Sequence, residues 1–510
     1  MLNPTAETLA FTKQALRSPM SKEEALAKGV TVSTGLVYYD LQAPAKNLYP
    51  VITPLRNKIP RVGRPIGYGD SAKWKQIAAI TGSGYDAMGW VPEGQRSGTM
   101  SYVSTQKAAA YCTLGEEDYA TYEAISAGEG FENIESTDSL RTLQKMMLKE
   151  ESALLGGNGG GVQLGTPSTP SLSQSGSTGT LPTLTYSVIV VALTYEGYRN
   201  SSLTGGVATT KTITGADGGT FVLNGGSSNK SASATQAITL GQILYGSVTA
   251  IQGAVAYAWF VGAVGAETLQ AITTINSVAI SAPLTAGRQA ATAITQDSSS
   301  NPGLAFDGLL TQSLNTNNLA YVNSLATGTA GTGSTLTSSG RGSVVEIDNM
   351  LQSMWDNYRI SPTVLWVNSQ ELKNITNKVL GTGTSSLLRY DAPASGSGIV
   401  SPGASGVIEW YFNPYGGTDA AEGGTGGIKM PIKVHPNMPP GTIAAYAEEL
   451  PAWYQNNEVP NVAEVITRKD YYRIDWPPRT RKREYGVYAE EVLAVYATFG
   501  LGVITNIANG

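Results

Sequence analysis

Between Val162 and Ser300 the chain almost stops carrying charge. The full sequence of 510 residues holds 34 Lys and Arg and 39 Asp and Glu. This stretch has only Arg199, Lys211, Lys230 and Arg288 against Glu196, Asp217, Glu267 and Asp297. A break that sharp on both sides marks a module inserted into another fold, bounded by linkers. Length agrees, since one hydrophobic core rarely grows past roughly 250 to 300 residues. Inside the module, after a leader rich in Ser, Thr, Pro and Gly, apolar residues alternate. Tyr186, Val188, Val190 and Ala192 are in phase over 184–194, and further strands are expected at 238–250, at 256–262 around Trp259 and at 269–280. Short strands between Gly-rich turns, with no 3.6-residue period, predict a small β-sandwich.

The flanks read differently and must share a fold. Helical patterns are expected at 7–17 and 21–28, the second with Ser21 and Glu24 as a capping box and Gly29 as its stop. From residue 30 to about 113 prolines at 44, 50, 54, 60 and 65 forbid helix, and alternation over 73–80 with a return at 101–105 predicts a long two-stranded ribbon. Such a ribbon is marginal alone and needs another surface to lie on. Ser136, Thr137 and Asp138 offer N-cap oxygens to a helix of roughly 17 residues with Leu140, Leu143, Met147 and Leu154 on one face, ended by Gly156 and Gly157 as a left-handed stop. The glycine run 156–161 lacks the Lys-Ser/Thr pair of a phosphate loop and is read as a hinge or linker. Past the module, Ser343 and Glu346 form an expected capping box for a helix whose face is Val344, Ile347, Leu351, Met354 and Tyr358. A buried strand at 363–367 and a helix from Asn368 follow, and the remainder is β-rich: 407–412, 428–434, 443–448, 462–475, 484–496 and 501–507.

Chemistry is sparse. The single cysteine, Cys112, closes no intrachain disulfide and reads as a small buried hydrophobe, and the single histidine, His435, reads as a strand-end residue without partner ligands. Glu116, Glu117, Asp118, Glu150 and Glu151 read as solvated faces rather than a glycosidase pair, which needs carboxylates facing across a cleft. A net charge of −5 leaves no global basic field for nucleic acid or anionic lipid. No run of about 18 apolar residues and no basic-then-apolar leader occurs, so a cytoplasm-like compartment is expected. The one dense basic patch, Arg479, Arg481, Lys482 and Arg483, carries too little charge for tight phosphate binding and is read first as an interface with acidic residues of a neighbour. No catalysis, metal or cofactor is expected.

Taken in order, the N-terminal arm, the extended ribbon, the helix running into Leu154-Leu155-Gly156-Gly157-Asn158-Gly159, the mixed segment 344–379 and the return through Asp470-Tyr471-Tyr472-Arg473-Ile474-Asp475 resemble the major capsid protein of tailed bacteriophages, the HK97-type fold. The resemblance covers about three-quarters of the chain, everything but the module. It implies an α+β fold: an N-terminal arm (1–66), an extended E-loop (67–112), a peripheral domain with a spine helix (113–161), an axial domain (301–455) and a return through the peripheral domain (456–510). The module (162–300) resembles an immunoglobulin or fibronectin domain in its segments 186–197 and 256–262, and without cysteines for an inter-sheet bridge the fibronectin form is preferred.

The resemblance implies self-assembly, through hexamers and pentamers, into an icosahedral head enclosing phage DNA. E-loop and arm would lie on neighbouring subunits and the shell would expand on maturation. Implied partners are further copies of the chain, a portal, a separate scaffolding protein, packaged double-stranded DNA by weak non-specific contact and, as an open addition, a decoration protein. No membrane is implied; the expected location is the virion capsid, assembled in the host bacterial cytoplasm. Trp74, Trp90, Lys73, Lys75, Glu116, Glu117, Asp118, Arg479, Arg481, Lys482 and Arg483 are the expected inter-subunit contacts. Lys73 and Lys75 occupy E-loop positions at which some relatives crosslink, but the acceptor is not matched here. The competing class is a host-binding or tail-associated surface protein built around the sandwich.

Overall fold

The computed structural model describes residues 48–64, 69–81, 89–129, 133–340, 342–381, 389–391, 401–403, 408–416, 427–454 and 459–508. The helices expected at 7–17 and 21–28 lie outside the described residues. Contacts divide the chain into two units, residues 1–50 with 120–137 and residues 51–119 with 138–510. In the smaller unit Thr121 caps the helix Tyr122–Gly128, its hydroxyl accepting from Ala124 N at 3.2 Å. Asn133 accepts from Ser136 N at 3.1 Å ahead of a long helix, Ile134–Gly156. That helix is therefore longer than expected and starts earlier, because Asn133 rather than the 136–138 hydroxyls supplies the cap.

In the larger unit a short helix, Pro54–Lys58, leads into β1 (Arg61–Gly63), β2 (Ser71–Thr81), β3 (Ser101–Ala110) and β4 (Cys112–Thr121). β2 and β3 form the expected antiparallel ribbon and, among the described residues, belong to no larger sheet. The long helix corrects the face read from the sequence. Its buried residues are Thr142, Met146, Glu150, Glu151, Leu154 and Leu155, whereas Leu140 is 56% exposed. The true inward stripe includes carboxylates, which an apolar count cannot see.

Residues 162–300 contain β5 (Ser171–Ser175), β6 (Leu184–Leu193), β7 (Thr210–Thr214), β8 (Thr220–Asn224), β9 (Ala234–Ile238), β10 (Ile243–Ser247), β11 (Ala256–Gly262), β12 (Thr268–Thr273) and β13 (Ser277–Ile280). They form sheets β13-β10-β5 and β12-β11-β6-β9 and the hairpin β7-β8. The strands expected at 238–250 and 269–280 are each broken in two; in the first, Gly241 at φ 101° allows a turn that no side chain accommodates cheaply. Alternation in β6 is real but both faces are covered. Tyr186, Val188, Val190 and Ala192 join one core with Trp259 and Leu244, and Ile189, Val191 and Leu193 join a second with Phe260, Val207 and Ile294. A central sheet without a solvent face has nowhere to place charge, and on the exposed strands Ser171–Ser175 and Thr210–Thr214 uncharged Ser, Thr and Gln stand where charges usually do. Gly246 lets the sheets approach: a Cβ there would meet Trp259 and Val278 at 3.3 Å.

After the module come the helix Leu309–Leu314, β14 (Tyr321–Ser324), the helix Val345–Tyr358, β15 (Val364–Val367), the helix Ser369–Gly381, β16 (Arg389–Asp391), β17 (Ser401–Gly403), β18 (Trp410–Asn413), β19 (Ile428–Val434), β20 (Ile443–Tyr446), β21 (Ala463–Asp475), β22 (Lys482–Val495) and β23 (Leu501–Thr505). β14-β23-β20-β15-β19-β18 is a mixed six-stranded sheet whose strand β15 is buried throughout. β16 and β17 pair separately, and β1-β21-β22-β4 is a four-stranded sheet built on a long hairpin. The capping box at 343–346 does not form. Glu346 instead accepts from Thr337 N at 3.0 and 2.9 Å, and Ser343 donates to Asp348. The helix from 369 is capped as expected, with Asn368 Oδ1 accepting from Gln370 N at 3.0 Å.

Candidate functional site

Beyond its root the ribbon is left largely uncovered by the described residues. At its root Ala72 is buried, Trp74 meets Tyr496 edge-on with centroids 5.5 Å apart, and Gln76 donates to the Tyr496 carbonyl. Beyond that β3 is exposed nearly end to end. Ile77, Ile80 and Tyr102 are 65%, 70% and 55% exposed, and Trp90 is 89% exposed. Each residue of such a patch loses about 25 cal/mol for every Å² of apolar surface left in water rather than buried.

A largely buried ionic cluster, not legible in the sequence, ties the helix Pro54–Lys58 and β1 to the long helix and to the β21-β22 hairpin. Glu150 and Glu151, expected on a solvated face, are fully buried. Glu150 accepts from Arg56 Nε at 3.0 Å, from Arg61 and from the Tyr471 hydroxyl. Arg61 also reaches Glu491 at 2.9 Å and Asp470 at 2.7 Å, and both guanidiniums lie over the Tyr471 ring. Burial pushes the Glu150 carboxyl up against the pull of the two arginines, and burial together with the Glu150 charge pushes Glu491 up to about 7. Glu151 caps the helix Pro54–Lys58, accepting from Leu55 N at 2.9 Å and Arg56 N at 2.8 Å. It also bonds His435 Nε2 at 2.6 Å. Since His435 Nδ1 accepts from Asn437 N at 3.1 Å, Nε2 carries the hydrogen it donates to Glu151. The histidine is thus a buried pin between the long helix and the end of β19, more than the unpartnered strand-end residue expected.

The glycine run is likewise a junction and not a hinge. A Cβ on Gly157 would meet the Phe306 carbonyl at 2.7 Å, and one on Gly159 the Ala305 carbonyl at 2.2 Å. Neither Gly156 nor Gly157 has the left-handed φ expected of a helix stop; close backbone approach is the reason for glycine at 157 and 159. Asp307 accepts from Gly159 N at 2.8 Å and Gly161 N at 3.0 Å, and Asn158 Nδ2 donates to the Val162 and Ser299 carbonyls at 2.8 and 2.7 Å. These bonds stitch the chain entering the module to the chain leaving it.

The other expected contact residues are scattered. Lys73 and Lys75 are exposed on β2. Glu116 pairs with Lys149, Glu117 accepts from the Tyr488 hydroxyl, and Asp118 accepts from Tyr119 N at 2.8 Å, so all three have partners within their own chain. Arg479 and Arg481 are exposed on the tip between β21 and β22 and Arg483 is exposed at the start of β22, where Lys482 pairs with Glu484 at 2.6 Å and lies 4.4 Å from the Tyr119 ring centroid. Cys112 is buried, its thiol pushed up to about 11 by burial. Among the described residues no group of three or more His, Cys, Asp or Glu is arranged to hold a metal, and no helix is long and apolar enough to cross a membrane.

No family model matches the chain, and no characterised protein matches it in sequence. Among solved structures it is similar to the capsid of a native GTA particle, at 9% identity and a TM-score of 0.42 over 96% of this chain and 100% of that chain. It is similar to the capsid of Myoviridae phage XM1, at 9% identity and 0.37 over 94% and 99%. It is also similar to the capsid of cyanophage P-SCSP1u, at 9% identity and 0.37 over 100% of both chains.

Proposed function

We propose that the chain is a shell-forming structural subunit of the HK97 type, a major capsid protein whose function is self-assembly. The observation that carries this is the two-stranded ribbon, packed at its root on Tyr496 and exposing, among the described residues, Ile77, Ile80, Tyr102 and Trp90. A surface of that kind is completed by another chain. In a head-to-tail contact the ribbon of each copy lies on the next, and rotation closes the set into rings such as hexamers and pentamers. The order of ribbon, long helix, mixed sheet and terminal hairpin supports the same reading. A portal, a scaffolding protein, packaged DNA contacted weakly and a place in the virion belong to the proposal, as does the module at 162–300 as an inserted sandwich. Negative-stain electron microscopy and sedimentation of the purified chain test it. Closed shells or ring capsomers are expected; fibres or monomers at all concentrations would favour a tail-associated or host-binding protein instead.

A further inference from the structure

The ribbon has two faces, and its pairing sorts them. Residues opposite one another in an antiparallel pair share a face, and neighbours along a strand alternate. One face carries Ala72, Trp74 and Gln76 with Ala109, Lys107 and Thr105; this is the face that rests on the chain's own Tyr496 at the root. The opposite face begins with Lys73 opposite Ala108 and Lys75 opposite Gln106, then Ile77 opposite Ser104. Strict alternation would next send Ile80, three residues on, to the Trp74 face. The register instead shifts between Ile77 and Ala79, so that Ala79 opposes Val103 and Ile80 opposes Tyr102. This one-residue bulge returns Ile80 to the face of Ile77. The outcome is a face with two lysines near the root and Ile77, Ile80 and Tyr102 further out, while the other face further out has Ala79 and Val103.

We infer that the bulge makes the ribbon one-sided: the Lys73–Lys75–Ile77–Ile80–Tyr102 face is the one that seats on a second copy of this chain, and the Trp74 face is the chain's own. The inference rests on the proposed shell-forming role and adds which side of the ribbon does the binding. Two observations point to a second copy as the occupant. The face bears lysines and no carboxylate, and the chain as a whole has an acidic excess, 39 against 34. Its area also fits: eleven residues at about 3.4 Å each make a strip ~37 Å long and, with two strands, ~10 Å wide. That is about half of the ~800 Å² per partner of a standard interface, too little for an isolated pair and enough when every copy engages the next around a ring.

Matched substitutions on the full chain test it. Ile77→Lys with Ile80→Lys charges the proposed face, and Ala79→Lys with Val103→Lys charges the other face at the same distance from the root. Particle yield is read by sedimentation and micrographs, and subunit folding by circular dichroism. The expected result is at least about a tenfold loss of particles for the first pair and less than about a twofold change for the second, with folding unchanged in both. A loss confined to the second pair, or equal losses in both, overturns the one-sided ribbon. If neither pair alters yield but excising the ribbon abolishes particles, the face assignment falls and the shell-forming role stands. A parent chain that never assembles removes that role, and the inference with it.

Discussion

Two long hairpins of similar length meet opposite fates in this chain. β21-β22 is flanked by β1 and β4, so both edges are paired, and its face packs Val487 and Ala489 against Met146 of the long helix. Among the described residues β2-β3 has no flanking strand, and β3 is exposed along nearly all of its length. Strand propensity builds both hairpins; edges and faces decide which is complete within one subunit. The difference locates the incomplete surface and, with it, the function.

The largest expected effect separates the two hairpins by readout. Shortening the ribbon beyond its root, between Ile77 and Ser104, removes assembly, since the surface that another copy covers is gone. The unfolding midpoint of the soluble subunit stays within about 2 °C, because exposed residues contribute little to the subunit's own stability. Mutations under the second hairpin act the other way round. Glu150→Ala leaves two guanidiniums facing a void and is expected to cost about 3–5 kcal/mol by urea titration before any question of assembly arises. Gly159→Ala drives a methyl group into the Ala305 carbonyl and is expected to cost about 2–4 kcal/mol. His435→Ala removes the pin on Glu151, whose two backbone donors remain, and is expected to cost about 2 kcal/mol.

The smallest effect is a pH slope. Glu491 is pushed up to about 7 in the folded chain from an ordinary value of 4.5. The folded state therefore keeps a proton that the unfolded chain has released. The stability this contributes is complete below about pH 4.5 and is lost as pH rises through about 7. Urea midpoints between about pH 5 and 8 should fall with pH in the parent, and more shallowly in Glu491→Gln.

The same contrast explains what the sequence reveals. Strands at 256–262 and 428–434, the ribbon, and the helices beginning near 345 and 369 are read directly, since each announces itself by local period or a cap. Glu150 looks solvated because the arginines that justify burying it, Arg56 and Arg61, stand 94 and 89 positions away. Gly157 and Gly159 look like a linker because the backbone they touch, at 305 and 306, lies beyond the whole module. The ribbon's bulge is invisible for a related reason: an extra residue in one strand has meaning only against the register of its partner. Local chemistry was visible in the chain, and pairing across long sequence separations was not.

Amide hydrogen exchange followed across residues 71–81 and 101–110, in free subunits and in assembled particles, tests the central claim most directly. Cross-strand hydrogen bonds in an unsupported ribbon open by local fraying, and a covering neighbour suppresses that opening. Exchange of these two strands should be fast in subunits and slowed by at least about a hundredfold in particles, while β21 and β22 are slow in both. Equal protection of β2 and β3 in the two states would mean that the ribbon is completed within its own chain, which contradicts the account.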